Sequence, residues 1–443
     1  MDQPIATLDV FLALFASAFR REVFATFRQT VVAWIVCLGR RSISRVWETS
    51  GKSENQDKSA AFRLFSEARW NWDEMCRILL LAMLAKLVPG RRLWVAADDT
   101  LCHKRGAKVA FGGIFLDAVL SSKRHKVFRY GNNWVMLGLI IELPFRPNRY
   151  FCLPIMWRVY EKRGSKTKRE HRTKNHLAAE MVAVLASWAA GRQVMMLGDS
   201  AYIGKCLLKN RPANVDAIGP ICWKANLSRP LQGGEHKRRR KGKRLPTPAQ
   251  MLEDKRRRAQ TMTITFKNEV ERTLQVKVIE DVCWYSVTGA QPVQLVLVRD
   301  ATGEWRDEAL VCTDVTMPAV EVIAGYCRRW SVEVAFCDAK QFMGFHDPQV
   351  WCSASVQRAA PMAWFVGSLV ILWYAVYGHE GEQAHRRRPW YTTKELFSPS
   401  FADMLASCRL QLWRHWFSDD SGCGADREEK LAWFFEYVAT AAR

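Results

Sequence analysis

Two short apolar runs that each end in acid constrain this chain more than any other feature. Leu93-Trp94-Val95-Ala96-Ala97 leads into Asp98-Asp99-Thr100, and Val194-Met195-Met196-Leu197 leads into Gly198-Asp199-Ser200. Consecutive apolar residues without alternation read as strands covered on both faces. Between them the pattern predicts strands at 134–142 and 149–159, joined by the turn Pro144-Phe145-Arg146-Pro147-Asn148, and a helix over 175–190 with Leu177, Met181, Val184 and Leu185 on one side. Hairpin-joined strands, a helix and another apolar strand predict a mixed α/β sheet. Such a sheet can bring together carboxylates that lie far apart in sequence.

The flanks read differently. Residues 1–92 are predicted helical, with Val10, Leu12, Leu14, Phe15 and Phe19, then Val31, Val32, Ile35 and Leu38 at helical spacing. Polar Ser50–Gln56 is a loop, helices follow from Ser59 and over 72–87, and Pro89-Gly90 stops the second. Helical modules of this size often bind DNA and as often only pack. Residues 205–292 read as a β-rich insertion, with strands at 261–266, 274–279 and 282–287. It holds 19 Lys and Arg against 8 Asp and Glu, half of the chain's net charge of +22. The peak is Lys237-Arg238-Arg239-Arg240-Lys241-Gly242-Lys243-Arg244, with Lys255-Arg256-Arg257-Arg258 after it. Strands resume at 293–299 and 310–313, a helix runs from Pro318 to Met343, and the remainder is helical, with Arg386-Arg387-Arg388 and a last helix near 427–440. The expected units are therefore 1–92, a core split over 93–204 and 293–378, the insertion 205–292, and a helical region 379–443.

A surplus of +22 says nothing about fold but predicts attraction to polyanions, nucleic acid first. Thirteen scattered cysteines contain no Cys-x-x-Cys pair, which argues against a structural zinc site. With no basic leader at Met1-Asp2-Gln3-Pro4, free thiols in a reducing cytoplasm are expected. Residues 359–378 carry no charge and are long enough to span a bilayer. A helix buried on all sides in an α/β core reads the same way, and is the expectation here; no membrane is expected as a partner.

Tyr326, Arg329, Glu333 and Lys340 fall at offsets 0, 3, 7 and 14 on the predicted helix. At about 100° per residue they share one narrow stripe. A carboxylate, two cations and a phenol suit a phosphodiester site, and equally suit a solvated face with an Arg329–Glu333 pair.

The spacing resembles, without a gap, the Y-(2)-R-(3)-E-(6)-K signature of bacterial insertion-sequence transposases with an RNase H-like DDE core. Ala97-Asp98-Asp99-Thr100 resembles the end of that family's first core strand, and Gly198-Asp199-Ser200-Ala201-Tyr202 its second aspartate. Residues 59–77, with Phe65, Trp70 and Trp72, resemble the helical lead-in of one branch. The resemblance runs from about Leu93 to Trp351.

It implies an RNase H-like fold and a cut-and-paste transposase that cleaves transposon ends and joins the 3′-hydroxyls to target DNA. It implies Asp99, Asp199 and Glu333 as catalytic ligands of Mg²⁺, for which Mn²⁺ can substitute; hard cations take oxygen ligands. Asp99 is preferred to Asp98 because the family's aspartate precedes Thr. Tyr326, Arg329 and Lys340 would hold DNA backbone, and Trp223 or Trp284 could stack a flipped base, although core or surface tryptophan is the simpler role. The basic run Lys237, Arg238, Arg239, Arg240, Lys241, Lys243 and Arg244 would neutralise phosphates; His103-Lys104-Arg105 and Lys123-Arg124-His125-Lys126 could add contacts. Partners would be double-stranded DNA, as terminal inverted repeats and target, and a second copy of the chain, in a bacterial cytoplasm near the nucleoid. The alternative is a catalytically silent, transposase-derived DNA-binding protein.

Overall fold

A computed structural model describes residues 5–50, 58–90, 92–164, 170–231, 241–265, 271–380, 399–418 and 427–441. Five helices come first: α1 (Ala6–Ala13), α2 (Arg21–Val36), α3 (Ile43–Thr49), α4 (Ser59–Ser66) and α5 (Trp72–Leu87). Then follow β1 (Arg92–His103), β2 (Gly113–Leu116), β3 (Phe128–Leu143), β4 (Arg146–Tyr160), α6 (Lys174–Trp188), β5 (Gln193–Leu197), α7 (Lys205–Leu208) and β6 (Val215–Pro220). The chain continues through α8 (Pro248–Glu253), β7 (Gln260–Thr265), β8 (Glu271–Cys283), β9 (Pro292–Asp300) and β10 (Glu308–Cys312). It ends with α9 (Ala319–Arg328), α10 (Ser331–Phe342), α11 (Ser353–Ala359), α12 (Met362–Trp373), α13 (Phe401–Phe417) and α14 (Arg427–Ala441).

All ten strands join one mixed sheet, in the order β2-β3-β1-β5-β6-β10-β9-β8-β7, with β4 also paired to β3. β1 is antiparallel to β3 and parallel to β5, and β5 is parallel to β6. A hairpin-joined antiparallel pair beside parallel strands is the arrangement of an RNase H-like core, as expected. The strands of the basic region do not form a sheet of their own. β7, β8, β9 and β10 extend the far edge of the core sheet through the antiparallel β6–β10 pair. The third strand expected at 282–287 is absent: Val282 and Cys283 finish β8, and the chain then turns.

The side-chain alternation of β1 sorts the helices onto two faces. Trp94 meets Gly325 of α9, and a Cβ there would sit 2.5 Å from the indole. Trp134, paired to Thr100, touches Trp364 of α12 edge-on at 6.2 Å. Asp99, of the opposite parity, reaches Lys174 at the start of α6. Thus α9, α10 and α12 cover one face and α6 the other.

The apolar segment at 359–378 is core. The helical stretch Ser353–Gly378 is the one described segment long and apolar enough to cross a membrane, and 94% of its apolar window is buried inside the protein. The N-terminal helices cover it: Phe15 and Trp72 ring-pack on Phe365 at 5.1 and 5.5 Å, and Trp34 Nε1 donates to the Met343 carbonyl at 2.9 Å. On α1 the buried residues are Leu8, Phe11 and Leu12, while Val10, expected on the core side, is exposed. The C-terminal helices close over the same region, with Arg409 Nε donating to the Ile35 carbonyl at 2.7 Å. No disulfide links the described cysteines.

Candidate active site

The parallel pairing of β1 with β5 ends at Ala96↔Leu197. Beyond it β1 stays straight against β3 as far as His103, whereas the chain after Leu197 turns away. Asp98 and Asp199 each follow the last pair by two residues. By the alternation of β1 the Asp98 side chain lies on the face of α9 and α10, and Asp199 is near enough to act on the charges of Asp98 and Arg329. Asp98 and Asp99 therefore lie inside a long strand rather than at its tip, and they point to opposite sides.

The helix expected from Pro318 to Met343 is two helices. Arg329 and Trp330 form a turn between α9 and α10. Hydrogen bonding tightens there to three-residue spans: Arg329 N to Tyr326 O, Trp330 N to Cys327 O, Val332 N to Arg329 O and Glu333 N to Trp330 O, at 3.0–3.2 Å. The turn sets the Arg329 side chain between two carboxylates. Its Nη1 is 3.5 Å from Asp98 Oδ2 and its Nη2 3.3 Å from Glu333 Oε1, with the Tyr326 ring 5.8 Å from the guanidinium carbon. Burial works against the Arg329 charge, but Tyr326, Asp98, Glu333 and Asp199 outweigh it and raise its pKa.

Asp98 is pushed up to about 7, by burial first and then by the charges of Asp199 and Asp99; the Asp99 amide and Arg329 act the other way. Tyr326 is raised by burial. The Asp199 carboxylate caps its own turn, accepting from the amides of Ala201 at 2.8 Å and Tyr202 at 3.2 Å. On the other face, Asp99 Oδ2 pairs with Lys174 Nζ at 2.5 Å, and its Oδ1 accepts the Tyr202 hydroxyl proton at 2.8 Å. That phenol is held well above its usual range, by burial and then by Asp99.

Of the residues predicted from sequence, Tyr326, Arg329 and Glu333 thus come together with Asp199 and with Asp98; Asp99 adjoins them from behind. Lys340 stands apart. It is seven residues beyond Glu333, about 10 Å along a helix axis, a distance that projection down the axis hides. Its neighbours are Asp117, Cys102 and Cys337, and burial lowers its pKa. Lys241 lies 5.9 Å over the Tyr285 ring and Arg244 donates to Asn226 at 2.6 Å, both away from the carboxylates. Lys237, Arg238, Arg239 and Arg240 lie outside the described residues, as do Arg386, Arg387 and Arg388. Trp223 and Trp284 are half-buried against the core. Two residues of the site had no expected role. Tyr202 stood in the quoted Gly198–Tyr202 stretch, and Lys174 carried no signal, being one lysine in a basic stretch.

Among the described residues no three His, Cys, Asp or Glu side chains are near enough to hold a metal ion together. The donor set itself fits a hard cation. Asp98, Asp199 and Glu333 offer only carboxylate oxygens, and Asp98, raised by burial first, also carries the repulsion of Asp199 and Asp99, which a cation would relieve.

A family model of the DDE superfamily endonucleases matches residues 10–284, more than half of the chain. The match takes in β1 and the Asp199 turn and stops before α9 and α10. No curated protein matches the sequence. From the N-terminal helices through the two aspartate-bearing strands, the chain belongs to the DDE superfamily endonuclease family.

Proposed function

We propose that the protein is a cut-and-paste DNA transposase, cleaving transposon ends and transferring their 3′-hydroxyls to target DNA. The observation that carries this is the convergence of Asp98, Asp199 and Glu333 around one arginine. These three carboxylates would hold divalent metal, Mg²⁺ or Mn²⁺. When bound, such ions activate the attacking oxygen and stabilise the leaving one. Arg329, now shared between Asp98 and Glu333, would turn to a phosphate oxygen of the substrate once cations neutralise those carboxylates. Tyr326 would donate its hydroxyl to the same backbone. Lys340 would hold a more distant phosphate, and the run from Lys237 to Arg244 would follow the duplex without reading its sequence. Terminal inverted repeats and target DNA would be the partners, with two chains acting together.

The resemblance places Asp99 in the metal site; register and electrostatics favour Asp98, because Asp99 is already engaged by Lys174 and Tyr202. Separate Asp98→Asn and Asp99→Asn proteins decide between them. The variant that abolishes Mn²⁺-dependent nicking of end-containing DNA identifies the ligand. Asp199→Asn and Glu333→Gln should each lose roughly a hundredfold or more in nicking. Full activity in either sinks the proposal. The spacing of the carboxylates favours one second reading, a silent DNA-binding descendant. It gains if the protein binds ends and never cuts with either metal.

A further inference from the structure

Past the carboxylates the sheet runs on into the β2–β3 hairpin. Leu116 pairs with Phe128, and Ile114 with Tyr130. Further along β3, Met136 is the partner of Asp98. Phe128 and Met136 are eight residues apart (136 − 128), an even number. Alternation therefore puts Ile114, Leu116 and Phe128 on the face of the sheet that carries Asp98. All three side chains are exposed. The separation is about 26 Å along a strand, or about eight base pairs of a duplex.

The loop that closes the hairpin is braced. Asp117 is buried, and its Oδ1 accepts from the amides of Val119 at 3.1 Å and Leu120 at 3.2 Å. Its Oδ2 lies 2.6 Å from His103 Nε2, and its amide donates to the Val127 carbonyl at 2.8 Å. Ser121 Oγ accepts from the Val127 amide at 2.9 Å, and the Ser122 amide donates to the His125 carbonyl at 2.8 Å. These bonds hold Val119 and Leu120 out at the tip. Val119 is 79% exposed, more than any other large apolar side chain described, and Leu120 is half exposed. Five exposed apolar side chains gathered on one short hairpin mark a surface that meets something outside the fold.

Charge selects what it meets. Lys123, Arg124, Lys126 and Arg129 are exposed on the same hairpin, and the only acid from Gly113 to Tyr130 is the buried Asp117. Two copies of this surface would repel each other. A duplex is a polyanion outside and apolar between its stacked bases, so it matches both the cations and the tip. An anionic bilayer matches them too, but the hairpin shares its face with Asp98 in a chain of the DDE superfamily endonuclease family, which favours DNA.

We propose that the β2–β3 hairpin is a DNA wedge. Val119 and Leu120 enter a base step and unstack it, while Lys123, Arg124 and Lys126 hold the phosphates beside it. Asp117 is the positioning residue, tying the tip to His103 at the end of β1. The bracing has a purpose, since a loose loop would yield before a stacked step opened. Choosing DNA rests on the function proposed above; the exposed tip and its charges do not.

The test is binding without cutting. The full chain is titrated in EDTA, over a range of salt, against a fluorescein-labelled 30-base-pair duplex and against the same duplex with a central two-nucleotide bulge, whose stack is already open. Wild-type protein should prefer the bulged duplex by about tenfold, because the cost of unstacking is already met. The double variant Val119→Ser, Leu120→Ser should reduce that preference to about twofold or less at an unchanged salt slope. The triple variant Lys123→Ala, Arg124→Ala, Lys126→Ala should weaken binding to both duplexes alike, make the slope shallower by about 2.7, and keep the preference. Both variants change only exposed side chains, and an unchanged melting temperature confirms the fold. Equal wild-type binding to the two duplexes overturns the wedge, and so does a full preference in the serine variant. Binding of the serine variant to phosphatidylserine vesicles, and its oligomeric state, are followed in parallel. Loss of either with the bulge preference intact assigns the tip to a membrane or to a second copy, and the wedge falls. Because metal is absent throughout, failure here leaves the nicking result untouched, and loss of nicking leaves this result untouched.

Discussion

Asp98 shows most plainly what environment does to a single side chain. Its pKa of about 7 lies some 3 units above the ordinary carboxylate value, so the charged form costs the folded state up to about 4 kcal/mol. The sign follows from the direction. Stability is whole below pH 3.8 and is lost as pH rises through about 7. Asp98→Asn removes the titrating charge. It should raise the melting temperature at pH 8 and leave it unchanged at pH 4; an equal shift at both would show that the carboxylate charge is not the cause. Divalent cation offsets the same repulsion and competes with the proton. Mg²⁺ or Mn²⁺ should therefore raise the wild-type melting temperature more at pH 8 than at pH 6, and lose that effect in Asp98→Asn protein. If Asp98 carries the site and Asp99 supports it through Tyr202, Asp99→Asn should keep a weakened metal-induced shift.

Among the elements, α9 and its turn into α10 decide where Arg329 sits. Gly325 lets α9 lie on Trp94, whose ring leaves no room for a Cβ. On the same helix, the Arg328 guanidinium lies over the Trp94 ring, 4.5 Å from its centroid. Gly325→Ala should lift α9 from β1, cost roughly 1–3 kcal/mol as overpacking, and reduce nicking beyond what the lost stability explains, because Arg329 and Glu333 move with the helix. A variant with wild-type melting and nicking would show that the helix yields there freely. The spacing Tyr326-x2-Arg329-x3-Glu333 was legible in the sequence. The break within it was not, since Arg329 and Trp330 keep helical torsions and neither is a helix breaker.

At the scale of the molecule, the expected units share one core. The N-terminal helices, α12 and α13 bury each other's apolar faces, and the strands of the basic region lengthen the core sheet. A fragment of residues 92–380 would expose α12, and should be insoluble or aggregate on expression. A monomeric, cooperatively melting fragment would show instead that the sheet and its helices stand alone. The uncharged run at 359–378 is accounted for by the same packing, with the Trp364, Phe365, Leu369 and Leu372 side chains buried.

The sequence by itself determined the alternation of strands and helices, the mixed sheet, and the types of residue at the site, because periodicity and spacing are local properties of the chain. It could not say which of two adjacent aspartates faces Glu333, since that depends on which face of β1 each helix covers. Nor could it say that Lys340 would stand near Asp117 and Cys102, apart from Glu333, or that Lys174 and Tyr202 would meet at Asp99. Those contacts join segments far apart in sequence, and only packing the helices on the two faces of one sheet decided them.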